Sequence, residues 1–159
     1  MALVTPVFLD TTVLLGGYID FGEHSAHAQK IIDAVAEGAI ADALTAWHCC
    51  LEFYSVSTRL PAGYRLSPQQ VTRILHEVIS MFRVEQLPVD ARMQFLEAAA
   101  AERVAGGRVY DAHIAEVARL SGATVVVTDN RRHFTALLKY GVRVLRPMEF
   151  ADELQTQHA

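Results

Sequence analysis

Disulfides are the first thing this chain does without. Its only cysteines, Cys49 and Cys50, are adjacent. Neighbouring side chains on a helix diverge by about 100°, so no cross-linked framework follows, and the pair fits a reducing compartment. No apolar run approaches the roughly 18 residues that a membrane-crossing helix needs, and the N-terminus lacks the basic stretch of a secretory signal. A cytoplasmic location with no membrane partner is the expectation. Zinc spacing is missing too: His48 has no partner at ligand spacing, and His24 with His27 is a bare pair. Basic residues are not in excess, because 14 Lys and Arg stand against 18 Asp and Glu for a net charge of −4. That balance argues against non-specific coating of nucleic acid. Internal repeats, low-complexity segments and linkers are absent as well.

What is present is a chain of 159 residues, 52% of them hydrophobic, long enough for one filled core and short for two. A single domain over residues 1–150 is expected, with 151–159 as a polar tail prone to fray. Apolar runs at 6–9, 39–46, 83–87, 123–128 and 142–145 read as strands. Between them lie helical patterns at 24–37, 47–59, 90–104, 108–120 and 131–139, and a short helical start after Thr12. Ser67 followed by Pro68 marks the start of a further helix carrying Val71, Ile74, Leu75, Val78 and Ile79. Short strands joined by helical crossovers predict an α/β fold: a central, mostly parallel five-stranded sheet flanked by helices.

Four acids stand out against this pattern. Asp10 closes the run Val7, Phe8, Leu9, and Asp129 closes Val125 through Thr128, so both sit at carboxyl ends of buried strands, where open parallel sheets bind ligands. Glu52 and Asp111 interrupt apolar helical stretches, which is costly for an uncompensated charge. Two carboxylates about 4 Å apart repel by roughly 4 kcal/mol at an effective dielectric near 20, a large share of a stability of about 5–15 kcal/mol. Gathered in one cleft, they must take up protons, pair with arginines or bind a hard cation such as Mg²⁺ or Mn²⁺. The cation is the reading adopted. Each acid also has an ordinary explanation: a cap or turn for Asp10 and Asp129, a salt bridge to a nearby arginine for Glu52, and an i,i+3 pair with Arg108 for Asp111.

The surrounding residues resemble the PIN-domain ribonucleases, and among them the VapC-type toxins of bacterial type II toxin–antitoxin pairs. The opening Phe8-Leu9-Asp10-Thr11-Thr12 resembles that family's first acidic motif. Leu51-Glu52-Phe53-Tyr54, Tyr110-Asp111-Ala112-His113 and Val127-Thr128-Asp129-Asn130 are similar to its second, third and fourth. Gly141 through Pro147 resembles its final strand, so the likeness spans nearly the whole chain. It implies a PIN-like three-layer sandwich and a Mg²⁺- or Mn²⁺-dependent endoribonuclease cutting structured RNA. Asp10 and Asp111 would then be the principal metal ligands, with Glu52 and Asp129 holding a second ion or metal-bound waters. Thr12 and Thr128 would steady carboxylates, and Arg108, Arg131 and Arg132 are candidates for RNA phosphates, or else ion-pair partners that offset the acids. A homodimer and a small antitoxin partner are further implications.

Two competing readings come from other classes. A PIN-like module that binds RNA or protein without cutting has no need of a repulsive carboxylate cluster. A haloacid dehalogenase-like phosphatase also uses a strand-end Asp, but wants a second Asp two positions on, where this chain has Thr12.

Overall fold

The computed structural model describes residues 2–159. Five strands, β1 (Val7–Leu9), β2 (Ala43–Ala46), β3 (Arg83–Glu85), β4 (Val125–Val127) and β5 (Arg143–Leu145), form one sheet in the order β3-β2-β1-β4-β5. Every pairing is parallel. β1, β2 and β4 are buried along their whole length, which is why they read as continuous apolar runs rather than alternating ones.

Seven helices cover the sheet: α1 (Thr11–Tyr18), α2 (Ala26–Ala36), α3 (Trp47–Ser57), α4 (Pro68–Met81), α5 (Arg92–Ala101), α6 (Arg108–Leu120) and α7 (Pro147–Gln157). The chain moves from β1 through β2 to β3 in one direction and returns to β4 and β5 in the other. Right-handed crossovers therefore put α1 and α2 on one face and α5 and α6 on the opposite one. α7 packs back against α2, completing the helical layer there. The reversal of direction falls between β1 and β4, so the crevice at their carboxyl ends is the topological switch point.

Several expectations are corrected. Residues 151–159 are no frayed tail: α7 runs to Gln157, with Phe150, Ala151 and Leu154 buried on one helical stripe. The helix expected over 131–139 is two 3₁₀ segments, Arg131–His133 and Thr135–Tyr140. Buried Phe134 and Leu137, three apart, suit that tighter winding. The helix expected over 90–104 is shorter, because a 3₁₀ turn at Val89–Ala91 leads into α5, which ends at Ala101. The start of α4 is as expected: Gln70 N–H donates to Ser67 Oγ at 3.2 Å and Ser67 N–H to Gln70 Oε1 at 2.8 Å, a full capping box.

One contact that the sequence reading passed over ties α1 to α2. A Cβ placed on Gly17 would lie 2.3 Å from Ile32 Cγ1 and 3.3 Å from the Ala28 carbonyl oxygen, whereas at Gly16 the nearest atom is Ala28 Cβ at 3.2 Å. Helix propensity favours a larger residue over glycine by about 1 kcal/mol. At Gly17 the clash outweighs that gain. Gly17→Val is expected to destabilise the fold by about 1–3 kcal/mol, read as a lower urea midpoint at unchanged slope, while Gly16→Ala stays within about 1 kcal/mol of wild type.

Candidate functional site

At the end of β1 the chain must turn into α1, and Asp10 occupies the N-cap position without making a cap bond. Its side chain turns inward and is only 4% exposed. Two threonine hydroxyls meet one of its oxygens: Thr128 Oγ1 donates to Oδ2 at 2.8 Å and Thr12 Oγ1 at 3.2 Å. Each hydroxyl also accepts from the loop after β4, Thr12 from Asp129 N–H at 3.0 Å and Thr128 from Asn130 N–H at 2.9 Å. A hydroxyl facing a carboxylate has to donate, so these backbone donors occupy its free lone pairs. Burial raises the Asp10 pKa, against the Thr128, Thr11 and Thr12 hydrogen bonds that lower it, and the charge of Asp111 raises it further.

Glu52 projects from α3 toward the same end of the sheet. Burial, then the charges of Asp10 and Asp111, push its carboxyl from 4.5 up to about 7. Its Oε1 lies 3.1 Å from His48 Nε2, one turn earlier on α3, but is buried without an aligned hydrogen bond. His48 Nδ1 lies 3.2 Å from His113 Nδ1, so the imidazole bridges Glu52 to the helix that carries Asp111. Burial holds both histidines below their ordinary pKa, favouring neutral rings at pH 7.

Asp111 stands in the first turn of α6. Its side-chain neighbour is His133, with Nδ1 3.2 Å from Oδ2, and not Arg108 as the helical spacing allowed. The charge of Asp111 thus reaches both Asp10 and Glu52, and that of Asp10 reaches Glu52. At Asp129, on the loop after β4, burial raises the pKa, while nearby Arg146 and His24 draw it down. Among the described residues, no three His, Cys, Asp or Glu side chains converge tightly enough to form a finished metal cage. The donor set nevertheless fits a hard cation. Its oxygens come from mutually repelling carboxylates, and the unaligned, buried Glu52 oxygen is the kind of atom a cation satisfies.

Of the arginines expected near phosphate, Arg131 is bound to Glu149 at 2.7 Å. Arg108 and Arg132 are exposed and have no carboxylate partner among the described residues. Sequence reasoning missed His48, His133 and Arg146 as neighbours of the acids. His48 had a usable signal, lying four residues before Glu52 on a helix, and Arg146 directly follows β5 at the sheet's carboxyl edge. His133 had none.

The PIN domain family model matches residues 7–137. The chain is 34% identical over 146 residues to ribonuclease VapC27 of Mycobacterium tuberculosis, covering 88% of this chain and 96% of that protein. It is 32% identical over 124 residues to ribonuclease VapC40 of the same organism, covering 77% and 85%. Among solved structures it resembles the M. tuberculosis sarcin–ricin-loop-cleaving toxin VapC20 at TM-score 0.60 and 18% identity, over 82% of this chain and 93% of that one. DNA-bound VapBC from Salmonella typhimurium gives TM-score 0.60 at 20% identity, over 91% and 99%. At such identities the structural likeness is one of fold.

A pH experiment follows from Glu52. Its folded pKa of about 7 exceeds its ordinary 4.5, so between those values the folded state holds the extra proton and stability falls as pH rises. In the presence of a chelator, Glu52→Gln is expected to melt higher than wild type at pH 8. The difference should shrink toward pH 4.5, as followed by thermal denaturation at both pH values.

Proposed function

Because the chain belongs to the PIN-domain family and, within it, to the VapC ribonucleases, we propose that it is a Mg²⁺- or Mn²⁺-dependent endoribonuclease, the toxin of a toxin–antitoxin pair. The observation that carries this reading is the buried Asp10 at the switch point, with Asp111 close enough for its charge to act on Asp10, and both close enough to act on Glu52. A pure binding surface gains nothing from that repulsion. The phosphatase alternative lacks its second acid, since Thr12 is engaged as a donor to Asp10.

Asp10 and Asp111 would hold the principal ion, with Glu52 and Asp129 contributing to a second ion or to bound waters. A bound divalent ion would supply a Lewis acid for the phosphoryl oxygen and a water of lowered pKa. The protein's own part is positional. Thr12 and Thr128 fix the Asp10 carboxylate, and through the same hydroxyls fix the Asp129–Asn130 backbone. Ordering of this kind around ligating groups is typically worth 10–100-fold in metal affinity or activity. His133 holds one oxygen of Asp111 and orients the other. Arg108 and Arg132 are free to meet phosphate oxygens, a role for which Arg131, engaged by Glu149, is less suited.

A homodimer and a small antitoxin belong to the same proposal. Exposed Trp47, Leu51, Leu96 and Tyr110 surround an apolar cavity of about 420 Å³ between α3, α5 and α6, a surface of the kind that protein partners cover. No helix among the described residues is long and apolar enough to cross a membrane.

Purified protein incubated with total RNA and Mg²⁺ or Mn²⁺ is expected to give discrete fragments. Chelation should stop the reaction, and Asp10→Asn or Asp111→Asn should slow it by at least about 100-fold, equivalent to about 2.7 kcal/mol of lost transition-state stabilisation. RNA binding by wild type and Asp10→Asn alike, with no cutting by either, would identify a binding module instead.

A further inference from the structure

Asp111 lines a second depression besides the carboxylate crevice. A groove of about 620 Å³ runs along α6 between α5 and the 3₁₀ segments that follow β4. One end holds Asp111 and His133, and the other holds Arg119, Lys139 and Tyr140. From Asp111 to Arg119 is eight residues of helix, or about 12 Å of travel. A chain lying in the groove would therefore extend well beyond a single phosphate.

The charges in this groove are sorted. Arg119 is clamped by Glu116 through two hydrogen bonds and lies over the Tyr140 ring, 4.7 Å from its centroid. These contacts cancel its charge and stiffen the wall. Arg108, Arg132 and Lys139 line the same groove, are exposed, and have no carboxylate partner among the described residues. Lys139 Nζ sits 5.2 Å from the Tyr140 centroid, which holds its stem without neutralising it. Against these three free cations stand Glu102 at the α5 wall and Asp111 itself. The apolar cavity on the other side of α6 has Arg92 with Glu85 in its lining, so it offers no comparable excess.

We propose that the groove along α6 is the track for a single-stranded RNA segment flanking the cut, with Arg108 and Arg132 taking phosphates beside Asp111 and Lys139 taking one at the far end. This rests on the ribonuclease reading and adds to it the path of the substrate and a contact remote from the chemistry. A flexible strand suits the groove because successive phosphates meet cations along one wall, and each neutralised phosphate releases counterions. Lys139 is a positioning residue, acting on the strand and not on the reacting atoms.

Two measurements on the full chain test the track. In the first, a labelled single-stranded oligoribonucleotide is titrated with Asp10→Asn protein, which leaves it uncut, over a range of salt concentrations. Adding Lys139→Ala or Arg132→Ala to that background should weaken binding about five- to tenfold and make the slope of log K against log salt shallower by about 0.7 each. Arg73→Ala, which removes an exposed cation on α4 outside the groove, should change neither. In the second, Lys139→Ala in the active protein should raise KM for RNA about five- to tenfold with kcat unchanged. Unchanged slopes for Lys139→Ala and Arg132→Ala, or an equal loss on Arg73→Ala, would overturn the track while leaving cleavage by wild type intact. No cleavage by wild type, with the groove variants still weakening binding, would sink the nuclease reading and leave the track standing as a binding surface.

Discussion

The structure turns on a carboxylate held almost out of water. Asp10 is buried at the end of the central strand, where an isolated charge would cost several kcal/mol, and two threonine hydroxyls offset part of that cost. Both hydroxyls are committed twice, donating to Asp10 and accepting from the loop after β4. The first strand, the first helix and the β4 loop are therefore one hydrogen-bonded unit. A one-residue slip of β1 against β4 would put Leu9 or Thr11 where the carboxylate now sits, taking Asp10 from Thr128 and Thr12 from the Asp129 N–H. The burial that makes Asp10 expensive also fixes its position, and the other acids are arranged around it.

How the acids tolerate one another is answered differently from residue to residue. Protons, arginines and a cation were the available remedies. Glu52 shows the first, through a pKa raised by burial and by neighbouring charge. Asp129 shows the second, through Arg146. Histidines that the sequence did not suggest also stand against the acids, His48 beside Glu52 and His133 beside Asp111. All of these are displaceable. Cation binding at carboxylates of raised pKa would release protons, so affinity would rise with pH across the range in which Glu52 ionises.

The parts of the fold that sequence reasoning recovered are those written in local pattern. β1 and β4 are buried on both faces and so read as unbroken apolar runs, and Asp10 and Asp129 are legible because each follows such a run. Glu52 and Asp111 are legible as acids inside apolar helices. What it missed depends on pairs distant in the chain. Gly17 looks like an ordinary small residue until Ile32 is brought against it. The last helix looks like a polar tail because its buried stripe of Phe150, Ala151 and Leu154 is short, and α2, distant in the chain, is what it packs against. The charges that act on Asp129, Arg146 and His24, lie 17 and 105 positions away in the chain and left no local signal.

The same distinction between sum and arrangement bears on the net charge. A value of −4 suggests a poor partner for a polyanion, yet most of the arginines that pair are spent on acids: Arg83 on Asp42 and Glu85, Arg119 on Glu116, Arg131 on Glu149, Arg143 on Glu153. These pairs are partly exposed and contribute little to stability, but they offset acids locally across the surface, Arg83 being shared by two of them. The cations left over then determine the local field, and Arg108, Arg132 and Lys139 lie along one groove that leads to Asp111. At physiological salt the field of a surface charge decays within about 8 Å. A strand in that groove therefore senses the three unpaired cations, with Glu102 and Asp111 against them, more than the excess acids elsewhere, and an acidic protein can present a locally basic path.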